Sequence, residues 1–168
     1  MDEVPRIGDL QIDQDLAHQK RAWAVRRAGR AAMVLLVLAA LAGLAGPGPL
    51  SEARAGDSGD PLALEYNRFT RRDAPAELRL RLNRPQGSEA RVWLGSDYLE
   101  GAEIESVQPE PDRVEAGTDR TVFVFPLVEP GNATAVTFYL KPRQVGSLAG
   151  RVGLEGGPSL RFDQFVYP

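Results

Sequence analysis

An uncharged apolar stretch near the N-terminus separates this chain of 168 residues from an ordinary soluble domain. No residue from Ala31 to Ser51 is charged, and the apolar run continues to Ala45, before a Gly-Pro-Gly-Pro sequence that should end a helix. A helix on the surface of a soluble domain would show a polar face, and this run shows none. The pattern therefore predicts a transmembrane helix over residues 31–50.

The residues before the apolar run indicate which way the segment crosses the membrane. The helix should begin near Asp13 and continue to about Gly46. Basic residues are concentrated before the run, so the positive-inside rule predicts a cytoplasmic segment over residues 1–30 and places the chain after Leu50 outside the cytoplasmic membrane, in the periplasm or the extracellular space. One aromatic and three basic side chains are predicted at the membrane interface: Trp23, Arg26, Arg27 and Arg30.

A cleaved signal peptide is the alternative to a retained anchor. Ala53 and Ala55 supply small residues at the −3 and −1 positions of a possible cleavage site before Gly56. Against cleavage, the 30 residues before the run far exceed the usual n-region, and the distance from Ala45 to Ala55 is long for a cleavage region. We therefore expect an uncleaved anchor.

The rest of the chain alternates between short strands and turns. Residues 51–61 are small and polar with Gly and Pro, which is typical of a linker. Residues 62–168 are predicted to form about seven or eight strands without intervening helices, which favours an all-β sandwich. The size and the absence of cysteine favour an immunoglobulin-like fold of the disulfide-free, fibronectin type III-like kind. The predicted strands cover residues 62–69, 76–82, 90–98, 102–108, 120–128, 133–141, 148–156 and 159–167.

The aromatic residues of the strands are expected in the core rather than on a ligand-binding surface. They are Trp93, Phe123, Phe125, Phe138 and Phe162. Both faces of the strand 120–128 are apolar, and the larger area of Phe123 and Phe125 favours their face as the inner one. Trp93 occupies a strand where immunoglobulin-like folds often bury a large aromatic residue.

Composition excludes several classes of site. The absence of cysteine excludes disulfides, thiol catalysis and cysteine-ligated metals. The single histidine, His18, excludes a multi-histidine metal site and a Ser-His-Asp triad in the C-terminal region. The formal charge of −3 argues against nucleic-acid binding. Phosphate-binding loops and nucleophile motifs do not occur, so we expect no cofactor and no enzymatic activity.

One stretch carries a resemblance. The sequence EPGNATAVTFYLKPRQVGSLAGRVGLEG, at residues 129–156, resembles the C-terminal half of bacterial immunoglobulin-like modules, in which a Pro-Gly turn precedes an apolar strand and a later Pro and Gly turn the chain into the last strands. The layout as a whole is similar to that of small, uncharacterised single-span bacterial envelope proteins. The resemblance implies a β-sandwich outside the cytoplasm and implies no activity.

Two charged stretches are candidates for an interaction surface. Residues 100–119 are rich in acids, which suggests a calcium site or a surface for a basic partner; a solvated edge strand is the simpler interpretation. Residues 65–91 are rich in arginine and could contact lipid headgroups or a phosphate-bearing polymer; cross-strand pairing within the domain is the simpler interpretation. The candidate surface residues are Arg68, Arg71, Arg72, Glu103, Glu105, Glu110, Asp112 and Glu115.

These features predict a single-pass, non-enzymatic protein of the cytoplasmic membrane. Its β-sandwich would act outside the cytoplasm as an interaction or assembly module, with the lipid bilayer and another envelope or membrane protein as partners, and without nucleic acid. One alternative is a secreted binding domain released by cleavage near Ala55. Another is a small hydrolase that uses paired carboxylates in a cleft.

Overall fold

The computed structural model describes residues 16–41, 48, 50–57, 59–83, 85, 87–127 and 131–168. The chain divides into two units between Leu38 and Ala39, and each is described by itself. Helix α1 spans Leu16–Leu41 and is rich in Ala, Leu and Arg, which are strong helix formers. The predicted helix ends near Asp13 and Gly46 lie outside the described residues, as do positions 42–47 and 49 of the predicted membrane segment.

The described part of the chain holds no helix that combines the length and the hydropathy needed to cross a bilayer.

Two β-sheets form a sandwich in the second unit. One sheet has five strands in the order β1-β2-β4-β9-β6, and the other has six in the order β3-β11-β10-β5-β8-β7. The pairs are antiparallel except for β3 beside β11, which is parallel. In chain order the elements are β1 Glu52–Ala55, β2 Leu62–Asn67, β3 Phe69–Arg71, β4 Ala76–Leu82, β5 Glu89–Gly95, α2 Ser96–Gly101, β6 Ala102–Gln108, β7 Arg113–Ala116, β8 Arg120–Pro126, β9 Thr134–Pro142, β10 Gly146–Leu154 and β11 Ser159–Tyr167.

The structure confirms the β-sandwich and differs from the predicted strands in four places. The predicted linker 51–61 contains β1, which pairs with β2. The predicted strand 62–69 is divided between the two sheets as β2 and β3. The predicted strand 90–98 ends at Gly95 and continues as α2. All four residues of β7 are exposed, so this strand shows none of the alternation by which strands are recognised.

Ser51 forms the hydrogen bonds that fix the crossing from β2 in one sheet to β3 in the other. Arg68 separates β2 from β3, and its amide donates a hydrogen bond to the Ser51 carbonyl at 2.6 Å. The Ser51 hydroxyl accepts a bond from the Phe69 amide and donates one to the Phe69 carbonyl, both at 3.2 Å. The Arg68 carbonyl in turn accepts the Phe165 amide of β11 at 2.6 Å. Buried Ser51 therefore belongs to the folded domain rather than to a linker.

The core lies between the two sheets. The leucines of β4 point inward at Leu78, Leu80 and Leu82, as their alternation predicts. Phe123 of β8 packs edge-to-face against Phe138 of β9 with ring centroids 5.0 Å apart, so this pair joins the two sheets. The inward placement of Phe123, Phe125, Phe138 and Phe162 is confirmed.

The prediction that Trp93 lies in the core is wrong. It pairs in register with Val122 and Gly153 on the outer face of its sheet and is half-buried there. Its indole Nε1 donates to the Leu154 carbonyl at 3.3 Å, and the Arg120 guanidinium lies 5.4 Å from the ring centroid. The inward residues of β5 are instead Ala90, Val92 and Leu94. Alternation along the strand allowed either face, and only the register settled it.

A short polar chain crosses the core beside α2. The Tyr98 hydroxyl donates to Gln164 Oε1 at 2.7 Å, and Gln164 Nε2 donates to the Asn67 carbonyl at 2.8 Å. Burial raises the pKa of Tyr98, so the phenol stays neutral and remains a hydrogen-bond donor. The paired groups explain how Gln164 is tolerated in the apolar interior.

The position of β1 predicts where the domain can be cut. A fragment of residues 48–168 keeps Ser51 and β1, whereas a fragment of residues 62–168 loses both and leaves β2 unpaired along one edge. At about 1 kcal/mol for each hydrogen bond lost, we expect the shorter fragment to be less stable by about 2–4 kcal/mol. Urea denaturation of the two fragments measures this difference. Equal unfolding midpoints would show that β1 adds nothing to the domain.

Candidate interaction surface

Three arginines lie where the chain crosses between the sheets. Arg68 precedes β3, Arg71 ends it and Arg72 follows it, and all three are exposed. Within the described residues, neither Arg68 nor Arg71 has a carboxylate at ion-pair distance, whereas Arg72 Nε lies 3.3 Å from Asp73. At least two of these three neighbouring arginines, which we call the arginine cluster, therefore face solvent without an ion-pair partner in the part of the chain that the structure describes.

Three aromatic residues on the same outer face adjoin the arginines, and we call them the aromatic patch: Phe69, Phe165 and Tyr167. Phe165 is paired in register with Phe69, and the Tyr167 ring lies 5.1 Å from that of Phe165 and 6.1 Å from that of Phe69. Phe165 is 45% exposed. Sequence reasoning missed the patch, although alternation in β11 already separates Phe165 and Tyr167 from inward Phe162.

The acidic residues of β6 form ion pairs with basic residues at the end of β9 and directly after it. Arg143 forms an ion pair with Glu103 and another with Asp73, whose carboxylate lies 3.0 Å away. Asp73 follows the arginine cluster directly, so Arg143 links Glu103 to that turn. Glu105 pairs with Lys141. Strands β4 and β6 lie on opposite sides of β9, so the acids of β6 do not face the arginines of β4.

The remaining predicted acids lie at a different edge. Glu110 and Asp112 are exposed in the connection between β6 and β7, and Glu115 is on β7. Glu115 pairs with Arg91 at 2.6 Å and with Arg113 at 3.0 Å. Glu103 is thus linked to the turn beside the arginine cluster by Arg143. Glu110, Asp112 and Glu115 lie on β7 or in its connection to β6, away from that cluster.

An ion-pair network covers the outer face of β5 and β8. Arg91 pairs with Glu115 and Glu155, and Arg113 pairs with Glu115 and with Glu89 at 3.0 Å. Hydrogen bonds from Arg91 and then Arg113 lower the pKa of Glu115, and Arg143 lowers that of Glu103. Both carboxyls therefore stay ionised at neutral pH. Arg91 and Glu89 belong to the charged stretch 65–91 but were not among the candidate surface residues, although their outward alternation with Trp93 was an available signal.

A depression of about 890 Å³ lies among the loops at one end of the sandwich. Its acids are Glu89 and Glu155, and each is paired with an arginine of the network. Among the residues that the structure describes, no group of three acidic or histidine side chains is arranged to hold a metal ion. The acid-rich stretch 100–119 is instead distributed over α2, β6, β7 and their connections.

The predicted interface residues of α1 are exposed. Trp23 is 62% exposed, and the Arg27 guanidinium lies 5.3 Å from its ring centroid. Arg26 and Arg30 lie within one helical turn of Arg27 and are exposed as well. The four residues therefore form one aromatic and basic group immediately before the apolar run.

No family model matches the chain, and no curated protein matches it. Among solved structures, the chain is similar to the cupredoxin domain of amoB from Nitrosocaldus yellowstonii, with 15% sequence identity and a TM-score of 0.32. That match covers 64% of this chain and 57% of the other, so it spans little more than half of that chain's length. A likeness this weak carries no argument about function.

Proposed function

We propose that this chain is a single-pass protein of the cytoplasmic membrane whose β-sandwich acts outside the cytoplasm as a non-enzymatic interaction or assembly module. Residues 31–50 anchor it, residues 1–30 stay inside, and another envelope or membrane protein is its partner. The observation that carries the proposal is the all-round exposure of large apolar side chains on α1.

Six consecutive residues on α1, Met33–Leu38, are 53–71% exposed. Successive residues of a helix are about 100° apart, so these six point in every direction around the axis. Burying one such side chain is worth roughly 1.5–3 kcal/mol, which makes an aqueous location for all six costly. A lipid environment accommodates a helix that is apolar on every side, whereas a single protein partner covers only one face.

The β-sandwich supports retention of the anchor rather than its removal. Cleavage after Ala55 would separate Ser51 and the whole of β1 from the domain. Ala53 is buried in that strand, and the Ser51 hydroxyl holds the crossing at Phe69. A released fragment starting at Gly56 would lose these contacts, which argues against a secreted domain.

We further propose that the sandwich is immunoglobulin-like. The order β2-β4-β9-β6 corresponds to strands A-B-E-D, and β11-β10-β5 corresponds to G-F-C. Parallel β3 extends the second sheet on the G side. The β7–β8 hairpin is added beside the C position and follows β6 in the chain, which departs from the usual strand sequence.

The ionisation states of Glu103 and Glu115 do not suit the role of a general acid. A general acid must be protonated near neutral pH, and the lowered pKa values of Glu103 and Glu115 are the reverse of that requirement. Edge strand β7, by contrast, offers a partner exposed backbone groups and the side chain of Val114, which is 52% exposed.

Membrane fractionation and topology mapping test the proposal. The full chain, tagged at its N-terminus, should remain in the membrane after an alkaline carbonate wash and run at full length on a gel. Protease added outside spheroplasts should remove the β-sandwich and spare the N-terminal tag.

Affinity purification from detergent-solubilised membranes tests the interaction role and should recover a membrane or envelope protein. Val114→Asp on β7 should reduce that recovery.

Two equally exposed residues of α1 provide matched variants. Leu36 and Val25 are both 71% exposed, but only Leu36 lies inside the apolar run. Leu36→Arg places a charge in the membrane at a cost of about 3 kcal/mol and should increase the fraction extracted by carbonate. Val25→Arg should not. A soluble fragment that starts at Gly56 in the envelope fraction would contradict the retained anchor.

A further inference from the structure

Two of the exposed large apolar side chains of the β-sandwich, Leu50 and Phe165, lie near the place where the chain enters it. Leu50 is 53% exposed and directly precedes buried Ser51. Ser51 bonds to Arg68 and Phe69, and the Arg68 carbonyl accepts the Phe165 amide. The aromatic patch is therefore within two hydrogen bonds of the residue through which the chain enters the domain.

The surroundings of the patch are basic. Arg68 and Arg71 face solvent without an ion-pair partner in the described part of the domain, whereas Arg72 Nε lies 3.3 Å from the Asp73 carboxylate. The nearest outward carboxylate on β11 is Asp163, two residues before Phe165. Aromatic rings beside unpaired arginines match the chemistry of a membrane surface, where rings insert among the headgroups and guanidinium groups pair with phosphates.

The chain length between the anchor and the patch restricts how far the domain can stand from the bilayer. Five residues, 46–50, separate the end of the apolar run at Ala45 from Ser51. At about 3.5 Å for each residue, even a fully extended connection reaches only about 20 Å. A described turn shortens it further, because the Ser51 amide donates to the Gly48 carbonyl at 2.8 Å. A membrane segment that ends at Ala45 would therefore leave Ser51 within about 20 Å of that end.

We propose that the aromatic patch, together with Arg68, Arg71 and Arg72, docks the β-sandwich on the anionic headgroups of the bilayer that holds the anchor. The inference rests on the anchor of the proposed function. It adds a defined orientation: the end of β10 and β11 that carries Phe165 faces the membrane, and the opposite end, with the β10–β11 turn, faces away.

Two serines on the outer face provide a matched pair of reporter positions. Ser147 pairs in register with Phe165, and Ser159 pairs with Gly153 at the other end of the same ladder. Both are exposed, and the chain has no cysteine of its own. Ser147→Cys and Ser159→Cys therefore each place a single labelled thiol on the full chain, one beside the patch and one about 20 Å from it along the strand.

The labelled full chains are reconstituted in vesicles of phosphatidylglycerol and phosphatidylcholine, with a quencher attached to the lipid headgroups. We expect several-fold stronger quenching of the label at position 147 than of the label at position 159, and weaker quenching at 147 in pure phosphatidylcholine. Arg68→Gln and Arg71→Gln should each lower the ratio of docked to undocked domain about fivefold, which corresponds to about 1 kcal/mol for each charge near an anionic surface.

The outcomes separate this inference from the anchor itself. Equal quenching at both positions in chains that resist carbonate extraction would overturn the docking and leave the anchor intact. Protection of position 147 that persists in detergent without lipid, together with cross-linked dimers, would assign the patch to a second copy of the chain and overturn lipid docking. Release of the chain by carbonate would overturn the anchor and the docking together.

Discussion

Phe123→Ala should unfold the isolated domain, residues 48–168, or lower its melting temperature sharply. Phe123 is 4% exposed and packs on Phe138 of the opposite sheet, so truncation opens a cavity between the sheets. Removal of a buried Phe side chain costs about 3–5 kcal/mol, against a total stability of about 5–15 kcal/mol for a domain. Thermal and urea unfolding followed by circular dichroism measure the loss.

The same truncation at an exposed ring is the control. Phe165 is 45% exposed, and its ring contact with Tyr167 is worth about 1 kcal/mol, so Phe165→Ala should leave the fold intact. Trp93→Ala should cost less than Phe123→Ala, because Trp93 lies half-buried on the outer face. Equal melting temperatures for Phe123→Ala and Phe165→Ala, or a greater loss for Trp93→Ala, would contradict the observed core.

Gly150→Ala should be destabilising by about 1–3 kcal/mol or more, although alanine is usually better tolerated in a strand than glycine. Gly150 is paired in register with Phe162, and an added Cβ would lie 2.7 Å from ring atom Cε1 and 2.9 Å from Cε2. The ring cannot retreat, because it is 2% exposed and packs against Tyr98 at 5.0 Å and Tyr66 at 5.4 Å. Urea unfolding of the domain measures the change.

Two further glycines separate the clash from a general effect of alanine. A Cβ at Gly153 would also approach a ring, lying 2.6 Å from Cζ2 of Trp93, but Trp93 is half-buried and has solvent on its outer side. Gly153→Ala should therefore cost less than Gly150→Ala. Nothing lies within 4 Å of a Cβ at Gly59, so Gly59→Ala should be neutral or slightly stabilising.

A second substitution tests the mechanism of the clash. Phe162→Leu in the Gly150→Ala background should cost less than the sum of the two single changes, because the smaller side chain makes room for the new methyl group. Strict additivity would show that Gly150 and Phe162 do not compete for the same space.

Local patterns in the sequence predicted the strands whose alternation is strong. The limits of β4 and β11, in which buried and exposed residues alternate, agree with the predicted ranges 76–82 and 159–167. The limits of β6 agree with the predicted range 102–108, although a bulge between Ile104 and Ser106 interrupts its alternation. Pro126 ends β8, as a residue without an amide donor should. These features depend on side-chain order along a single strand, so neighbouring strands are not needed to recognise them.

Strands without alternation could not be recognised in this way. β7 is exposed at every position and exists because it pairs with β8, and β1 exists because it pairs with β2. The division of residues 62–71 into two strands likewise depends on Ser51 and Phe165, which are distant in sequence. Whether such segments form strands depends on pairing with distant segments, and this pairing cannot be read from the local sequence.

The sequence by itself determined the β-sandwich class, the alternating leucine core, the uncharged apolar run and the absence of cysteine and multi-histidine chemistry. Only the tertiary structure decided which face of β5 points into the core. Trp93 lies on the other face, paired in register with Gly153. It also placed Phe69, Phe165 and Tyr167 beside the arginines at Ser51. The physical reason is that alternation specifies two faces of a strand, whereas cross-strand register specifies which face meets the core and which side chains become neighbours.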